Sequence, residues 1–355
     1  MKRKSLKNAI NKLLFCGEIL FCPVMSLDEK APIVVFDTSI GTRNLGDFII
    51  NDYCTRIFEE LGIEPVSRIT THEKQTEEEL KKLEENGLKI VTGTNILSSR
   101  LFNQWVRPLH LAQQNNILLM GVGWSDYNDK VTPITARYYR KVLSQTYKHC
   151  VRDRFTKSAL RKAGITNVLY TGCPTMWNLT PALCSEIPQS KGKNVVCTIT
   201  DYDRDQQADF AMLDILLQQY EKVFFWPQGR QDLAYISFYP RASELCFLER
   251  TLTAFDNLLR DQRSLDYVGT RLHGGIRALN HKVRSIVIAI DNRAIEIARD
   301  TGLKTIKRGA VNTELSDLIQ SEFQTKLELP FDAIKEWKDQ FNGKLPKQQN
   351  NQLHS

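Results

Sequence analysis

The stretch LDYVGTRLHGGIRALNHKVRSIVIAID, residues 265–291, contains the pattern that decides the fold. An apolar run over residues 265–269 is followed by a segment of helical length that opens at about His273, and then by a second apolar run over residues 285–290. Aliphatic runs separated in this way are typical of parallel strands joined by a crossover helix. We therefore predict a strand, a helix and a second strand here.

The same alternation continues outward in both directions. Before residue 178 we predict strands at residues 33–37, 65–69, 89–92, 117–122, 150–152 and 168–171, with helices that start near Asp47, Glu73, Arg100, Thr135 and Phe155. After residue 193 we predict further strands at residues 195–199, 223–226 and 305–307, and helices at residues 204–220, 250–261 and 292–301.

These elements predict an α/β protein with two tandem Rossmann-like domains that face a cleft, in a GT-B-like arrangement. Residues 178–193 are rich in proline, glycine and polar residues, which is typical of a linker. We expect a basic extension at residues 1–30, an N-terminal domain at 31–180, a linker at 181–193, a C-terminal domain at 194–325, and a C-terminal helix with a polar tail at 326–355.

The composition fits two folded domains. The chain has 355 residues, of which 42% are hydrophobic, and this is enough to fill two cores. Its 48 Lys and Arg residues against 41 Asp and Glu give a formal charge of +7. That mild excess permits an anionic ligand or surface but does not indicate nucleic-acid binding.

Cysteine usage and the N-terminus bear on location. The eight cysteines form no C-x-x-C pair and lie mostly in apolar runs, which indicates buried, reduced thiols in a cytoplasmic protein.

Basic residues precede the apolar run Leu13–Cys16, which Gly17 and Glu18 interrupt, so the start does not fit a secretory signal. No later segment is apolar for long enough to span a membrane. A basic amphipathic helix on an anionic membrane face and a solvated extension both stay open.

Several common signatures are absent from the sequence. Residues 41–48 contain two glycines but lack the lysine and the serine or threonine of a P-loop. Gly121 and Gly123 lack the third glycine of a dinucleotide fingerprint, and Asp126 stands in its place. No motif indicates a metal site or a serine nucleophile.

Polar residues follow two predicted strands of the N-terminal domain, where ligands bind in such sheets. In the turn at residues 44–47, Gly46 permits a tight bend, and Asp47 is expected either to cap the next helix or to place a carboxylate at the cleft. At the end of a later strand, Arg152 can reach toward an anionic ligand or pair with Asp153. The residues alone favour the pair.

The strongest site candidate follows the strand at residues 265–269. Arg271 supplies a fixed positive charge, and His273 can exchange a proton near neutral pH. Gly274 and its glycine neighbours permit backbone amides to approach a phosphate at the start of a helix. The alternative is a structural role, in which His273 caps the helix and Arg271 is exposed.

At these residues the chain resembles the polysaccharide pyruvyl transferase family. Members share an N-L-G-D turn, an R-D-x-x-S strand end, and a late R-L-H followed by a strand that ends in D. Here these motifs correspond to residues 44–47, residues 152–156 with Thr156 at the serine position, residues 271–273, and Asp291 after residues 286–290. The likeness spans about residues 33–309 in the same order.

The resemblance implies a transferase that moves the enolpyruvyl unit of phosphoenolpyruvate onto a sugar as a pyruvate ketal. The acceptor would be a surface polysaccharide or its lipid-linked precursor, and no cofactor is implied. The family's donor-binding arginine falls on Arg152, and its Arg-x-His pair falls on Arg271 and His273, beside Gly274. We expect two arginine clamps, His273 as general acid or as proton donor to the leaving phosphate, and Asp47 as the carboxylate that accepts the hydroxyl proton. The acceptor or cleft residues are expected to be Asn44, Asp153 and Asp291.

Two other functions stay open at this point. A GT-B glycosyltransferase would hold a nucleotide sugar at the same helix start, and a ribose-binding carboxylate such as Asp291 or Glu296 would support it. A non-catalytic subunit of polysaccharide assembly would bind without turnover. In every case we expect a cytoplasmic protein, with peripheral membrane contact if the N-terminal helix binds lipid.

Overall fold

The structure, a computed structural model, describes residues 12–17, 19–21, 32–71, 73, 75–84, 87–101 and 116–342. It contains two parallel sheets, and helices follow most of their strands. The fold is therefore α/β with two Rossmann-like units, as the sequence predicts. We call the units by their sheets, the N-terminal unit and the C-terminal unit.

The N-terminal sheet has the strand order β2-β1-β3-β5-β6-β7, and β4 pairs with β5 outside this path. Its strands are β1 Val34–Asp37, β2 Ser67–Thr70, β3 Lys89–Thr92, β4 Asn95–Leu97, β5 Ile117–Trp124, β6 His149–Val151 and β7 Val168–Tyr170. Its helices are α1 Leu45–Glu60, α2 Glu77–Glu84, α3 Pro133–Val142 and α4 Arg154–Lys162. Every strand pair is parallel.

The C-terminal sheet has the order β10-β9-β8-β11-β12-β13 and is also parallel. Its strands are β8 Asn194–Thr198, β9 Lys222–Phe225, β10 Cys246–Phe247, β11 Leu265–Gly269, β12 Arg284–Ala289 and β13 Thr305–Lys307. The remaining helices are α5 Pro181–Ser185, α6 Gln206–Gln219, α7 Asp232–Ile236, α8 Leu252–Asp261, α9 Leu272–Asn280, α10 Asn292–Thr301, α11 Val311–Gln320 and α12 Phe331–Asp339.

Local differences from the predicted elements have physical causes. Helix α2 begins at Glu77 rather than near Glu73, because Thr76 and Glu79 form a capping box: the Glu79 amide donates to Thr76 Oγ1 at 3.2 Å, and the Thr76 amide donates to Glu79 Oε2 at 2.7 Å. The helix predicted near Arg100 falls largely on residues 102–115, outside the described residues. The sequence pattern does not predict the short elements β4, β10, α5 and α7, because each has too few residues to show a hydrophobic period.

The two units share apolar contacts. Ile49 and Tyr53 of α1 are buried in the same cluster as Phe255 and Tyr267 of the C-terminal unit. Helix α12 returns to the N-terminal unit, where Trp337 packs against Trp177 with ring centroids 5.5 Å apart. The segment at residues 178–193 is itself folded, since it contains α5 and the buried Leu179, Cys184 and Ile187.

Most of the described cysteines are inside the protein and all of them are free. Cys54, Cys150, Cys173, Cys184 and Cys197 are buried, which agrees with the prediction, whereas Cys246 is exposed on the short strand β10. Cys22 lies outside the described residues. Among the described helices, none combines the length and apolar character needed to cross a bilayer.

Candidate active site

A small cavity lies between the units at the carboxyl ends of the two sheets, where Rossmann-like folds bind ligands. Its volume is about 20 Å³, room for about one water molecule. Four residues predicted from the sequence line it: Asn44, Arg271, His273 and Asp291. The lining also includes four polar residues that were not predicted from the sequence, Tyr202, Gln228, Thr270 and Arg293.

His273 is the centre of the site. It lies in the first turn of α9, which begins directly after β11, and its side chain is 6% exposed. Its Nε2 atom is 3.8 Å from Sγ of Cys173 in the N-terminal unit. Burial, together with the positive charges of Arg293 and Arg152, lowers the pKa of His273 to about 3, against a smaller opposing effect of Asp291. His273 is thus neutral at pH 7 in this form.

Arg152 directly follows β6 and is not among the described residues that line the cavity, although its charge affects the pKa of His273. Its guanidinium is 2% exposed and donates through Nε to Asp153 at 3.3 Å and through Nη2 to the Tyr127 hydroxyl at 3.3 Å and to Asn95. A Cβ atom at residue 123 would collide with this guanidinium. Gly123, part of the incomplete dinucleotide fingerprint, therefore makes room for Arg152.

Asp153 holds Arg152 and also caps α4. Its Oδ1 accepts from the Thr156 amide at 2.7 Å, and the carboxylate is fully buried. The Thr156 hydroxyl accepts from the Trp124 amide at 3.1 Å, so this residue joins α4 to β5. Asp153 is a positioning residue for Arg152, and the ion pair favoured from the sequence is present.

Arg271 lines the cavity, but its guanidinium is committed to the C-terminal unit. Nη2 donates to Asp232 at 2.6 Å and to Asp201 at 2.9 Å, and Nε donates to the Ile199 carbonyl at 3.0 Å. Asp232 is fully buried, and Gly229 leaves the space that the guanidinium occupies. Two carboxylates pair with the fork of Arg271 in this structure, and its expected role as a donor clamp stays a prediction.

Arg293 provides the second cation near His273. It follows β12 in the first turn of α10, and it donates to Asp291 through Nε at 3.1 Å and through Nη2 at 2.5 Å. Nη2 also donates to the Tyr202 hydroxyl at 3.0 Å. The signal that could have found Arg293 is the position itself, since an arginine two residues after a strand-end Asp mirrors the Arg152–Asp153 pair.

Asp291 is occupied in two ways. Its Oδ1 caps α10 by accepting from the Ala294 amide at 3.2 Å, and its Oδ2 pairs with Arg293. Burial alone would raise its pKa, but the positive charge of Arg293, with a smaller effect of Arg152, lowers it instead. Asp291 therefore stays ionised and orients Arg293.

The turn at residues 44–47 differs from the prediction. Asn44, not Asp47, caps α1: its Oδ1 accepts from the Gly46 amide at 3.1 Å. Asp47 lies in the first turn of α1, where its Oδ2 accepts from the Thr42 hydroxyl at 2.6 Å, and it is not among the described residues that line the cavity. The cap falls on Asn44 because the helix begins at Leu45.

Gln228 bridges the units. Its side-chain Nε2 donates to Asn44 Oδ1 at 2.9 Å, and its backbone carbonyl accepts from the Leu45 amide at 3.1 Å. Because Asn44 Oδ1 already accepts from Gly46, the group that faces it must be the amino group of Gln228, and this fixes the orientation of the amide. Its Oε1 is left without a partner among the described residues, although the side chain is only 3% exposed.

Gly274 and Gly275 permit close packing, and the expected approach of a phosphate to their amides stays a prediction. A Cβ at Gly274 would lie 2.9 Å from the Tyr267 hydroxyl, and one at Gly275 would lie 2.7 Å from a Val287 methyl. The glycines let α9 lie close to β11 and β12. The same contacts place Gln228 Oε1 beside this helix start, 3.4 Å from where a Cβ on Gly274 would be.

Arginines of both units lower the pKa of one buried imidazole, that of His273. Arg152 and Arg293 both act on the charge state of His273, and each is held by a neighbouring Asp. Such a site suits a small dianion with two acidic groups. The described residues contain no group of three or more His, Cys, Asp or Glu side chains placed to hold a metal ion.

Comparisons with known proteins found several solved structures that are similar to this chain. The M. jannaschii UDP-GlcNAc 2-epimerase, solved with UDP-GlcNAc and UDP, is similar at a TM-score of 0.47 and 11% identity over 84% of this chain and 95% of that chain. S. aureus MnaA, solved with UDP, has a TM-score of 0.49 and 12% identity over 82% and 88% of the two chains. The wall teichoic acid polymerase TagF has a TM-score of 0.42 and 14% identity over 96% and 91%. No curated protein matches the sequence.

A family pattern gives the more specific result. The pattern of the polysaccharide pyruvyl transferases matches residues 44–292, which is more than half of the chain. The match runs from the helix cap Asn44 through Arg152 and His273 to the turn that carries Asp291. On this evidence the chain belongs to the polysaccharide pyruvyl transferase family.

Proposed function

We propose that the protein transfers the enolpyruvyl unit of phosphoenolpyruvate to a sugar of a surface polysaccharide, or of its lipid-linked precursor, as a pyruvate ketal. Family membership supports a pyruvyl transferase. The choice of donor rests on the effect of Arg293 and Arg152 on His273: the positive charges of both arginines lower the pKa of this histidine. Phosphoenolpyruvate has a phosphate and a carboxylate attached to the same carbon atom, and two separate guanidinium groups can bind them.

The reaction needs several proton movements. A proton adds to the enol methylene, and a sugar hydroxyl attacks the resulting cationic carbon and loses its proton. The C–O bond to phosphate then breaks, and a second sugar hydroxyl closes the ketal as it too loses a proton. Of the two protons released by the hydroxyls, one balances the new methyl group and the other leaves with phosphate. A group that accepts and then returns a proton at one place serves these steps.

His273 suits this exchange, although not in the order expected from the sequence. In the unliganded form the histidine is neutral, because burial and two cations disfavour its charged form. It can therefore accept the proton of the attacking hydroxyl first. The phosphate and carboxylate of the donor would offset the two guanidinium charges and raise the pKa of His273, so that the same residue can then protonate the leaving phosphate. Asp47 is less suited to accept the proton, since Thr42 occupies it.

Gln228 is suited to bind the sugar that accepts the pyruvyl group. Its Oε1 is a buried hydrogen-bond acceptor for which the described part of the chain offers no partner, and a buried unpaired acceptor is costly unless a ligand satisfies it. A sugar hydroxyl is a donor of the required kind. We assign Gln228 Oε1 to a hydroxyl of the acceptor, next to the helix start that carries His273.

Ligand entry requires the units to separate. The cavity holds about one water molecule, and phosphoenolpyruvate is much larger. Polar bonds close the units around it, among them Arg277 Nη1 to Asp52 at 2.8 Å and the Arg154 amide to Asp300 at 2.6 Å. Closure over the donor would exclude water, which would otherwise hydrolyse the cationic intermediate to pyruvate.

The structure does not provide the ribose-binding carboxylate that would support a glycosyltransferase. Of the two carboxylates proposed to hold a ribose, Asp291 caps α10 and pairs with Arg293, and Glu296 pairs with Arg299. Neither is free to bind a diol. The nucleotide-sugar hypothesis therefore has no observation in its favour among the described residues.

The direct test is a thermal-shift titration of the full-length protein with phosphoenolpyruvate and, in parallel, with UDP-sugars. A ligand that binds the folded state raises the melting temperature as its concentration rises. We expect stabilisation by phosphoenolpyruvate alone. Stabilisation by a UDP-sugar alone would instead support the glycosyltransferase. Release of phosphate and formation of a ketal on mixed lipid-linked acceptors would then separate an enzyme from a binding subunit.

A further inference from the structure

The helical segment near the N-terminus has one face attached to the protein. Residues 12–17 and 19–21 are helical, and Phe15 and Ile19 are 1% and 0% exposed. Phe15 packs edge-on against Tyr138 of α3, with ring centroids 5.6 Å apart. The spacing of four residues places Phe15 and Ile19 on the same side of the helix. This side is part of the core of the N-terminal unit.

Cationic side chains of α3 fix the end of the segment. Arg137 donates through Nε to the Ile19 carbonyl at 3.2 Å and through Nη2 to the Leu20 carbonyl at 2.8 Å. Lys141 Nζ donates to the Ile19 carbonyl at 3.2 Å. Carbonyls at a helix end need such partners, so the orientation of the segment on the protein is defined.

The opposite side of the segment is apolar and faces solvent. Leu13 is 72% exposed, Leu14 is 61% exposed, Leu20 is 41% exposed and Phe21 is 84% exposed. Leu13 and Leu20 are seven residues apart, as are Leu14 and Phe21, and this spacing puts all four on one face. Large apolar side chains grouped on a surface mark a site of interaction, whereas scattered ones do not. We call these four side chains the outer apolar face.

The sequence beside this face is strongly basic. Five of the first twelve residues are cationic and none is acidic: Lys2, Arg3, Lys4, Lys7 and Lys12. An exposed apolar face that follows a basic stretch of sequence matches the boundary of a bilayer with anionic headgroups, where apolar side chains enter the acyl region and positive charges meet the lipid phosphates.

We propose that the outer apolar face is a docking site for an anionic lipid bilayer, with the basic N-terminus as its electrostatic partner. Because Phe15 and Ile19 are buried in the core, docking would hold the N-terminal unit at a defined orientation to the membrane. This inference does not depend on the identity of the donor.

Vesicle co-sedimentation of the full-length protein tests the site. We expect binding to vesicles that contain phosphatidylglycerol at low salt, and weaker binding at high salt or to vesicles of phosphatidylcholine alone. The double variant Leu13→Ser/Phe21→Ser should lower the partition coefficient by about tenfold or more, because it removes two side chains that enter the bilayer. Replacement of Lys2, Arg3, Lys4 and Lys7 by Gln should weaken binding by about fivefold per charge.

A matched control separates membrane docking from other causes. Phe238 is 63% exposed on the C-terminal unit, so Phe238→Ser removes an exposed aromatic side chain elsewhere and should leave vesicle binding unchanged. The melting temperature should not change in any of these variants. Unchanged vesicle binding of the Leu13/Phe21 variant would overturn the proposal. So would a lipid-free dimer that the same variant converts to a monomer, since the face would then bind a second copy of the chain.

Discussion

Sγ of Cys173 lies 3.8 Å from Nε2 of His273, so the histidine of the C-terminal unit is packed against the end of the N-terminal sheet. Cys173 follows β7, and His273 follows β11. The imidazole is buried at a point where the two units meet. Its low pKa is therefore a property of the closed protein and of the charges that each unit brings.

The geometry predicts that Arg152 binds the donor through its planar fork. Arg152→Lys should weaken binding of phosphoenolpyruvate by about tenfold or more, because an ammonium group cannot replace two parallel hydrogen bonds. Isothermal titration calorimetry on the purified protein measures this loss. An unchanged affinity would leave Arg152 with only the structural role of pairing with Asp153.

Gly123→Ala tests the same site without any change in its charge. The added methyl group would collide with the Arg152 guanidinium and displace it, so donor affinity should fall although residue 123 need not touch the donor. Gly309→Ala is the matched control, since nothing lies within 4 Å of a Cβ at that position. Equal affinities of the two variants would contradict the role of Gly123.

Arg293 and Arg271 should respond differently to replacement by Ala. Arg293→Ala should abolish transfer with a small effect on folding, because its guanidinium lies at the cavity. Arg271→Ala should instead lower the free energy of unfolding by about 3–5 kcal/mol, because it leaves the buried carboxylate of Asp232 unpaired. Arg241→Ala, which breaks an exposed pair with Glu244, serves as the surface control. Urea denaturation and phosphate-release assays on all three variants distinguish the roles.

Gln228 is expected to act on the acceptor alone. Gln228→Met removes the unpartnered Oε1 and should raise the KM for the sugar acceptor, with little change in donor affinity. Asn44→Ser is the matched control: serine can still cap α1, but it is too short to keep the bond to Gln228, so it breaks the same contact between the units and spares Oε1. If both variants raise the acceptor KM equally, the contact between the units matters and Oε1 does not.

Two buried histidines predict a loss of stability in acid. Burial lowers the pKa of His149 from 6.5 to about 4, and burial with the nearby arginines lowers that of His273 to about 3. The unfolded chain binds these protons more readily below pH 6.5, so the stability they contribute is complete above that pH and is lost as the pH falls. Between about pH 4 and pH 6.5, the folded and unfolded pKa values of His149, the unfolding free energy should depend less steeply on pH in His149→Gln. The decrease in slope should correspond to the uptake of about one proton on unfolding. An unchanged slope in urea titrations would show that His149 is not neutral in the folded state.

Much of the fold could be predicted from the sequence because parallel strands in such sheets are short apolar runs. The predicted strand at residues 265–269 is β11 Leu265–Gly269, and the predicted helix at residues 292–301 is α10 Asn292–Thr301. The strand-end rule also placed Arg152 and His273 near the site. In these cases local pattern and tertiary position follow from the same residues.

The partners of the arginines could not be predicted in the same way. Arg271 is bound by Asp232, a residue of a five-residue helix that shows no period, and Gln228 reaches Asn44 across 184 positions of the chain. Such contacts depend on how the two units pack, which a pattern of apolar residues does not specify. The sequence therefore indicated which residues end the strands, but not which of their side chains are free.

The most direct test of the account is a crystal structure of the full-length protein with phosphoenolpyruvate. We expect one donor molecule between the units, with its phosphate and carboxylate bound by Arg152 and Arg293 and with His273 within hydrogen-bonding distance of the phosphate ester oxygen. A donor bound by the C-terminal unit alone, or one that displaces Asp201 and Asp232 to pair with Arg271, would contradict the shared site.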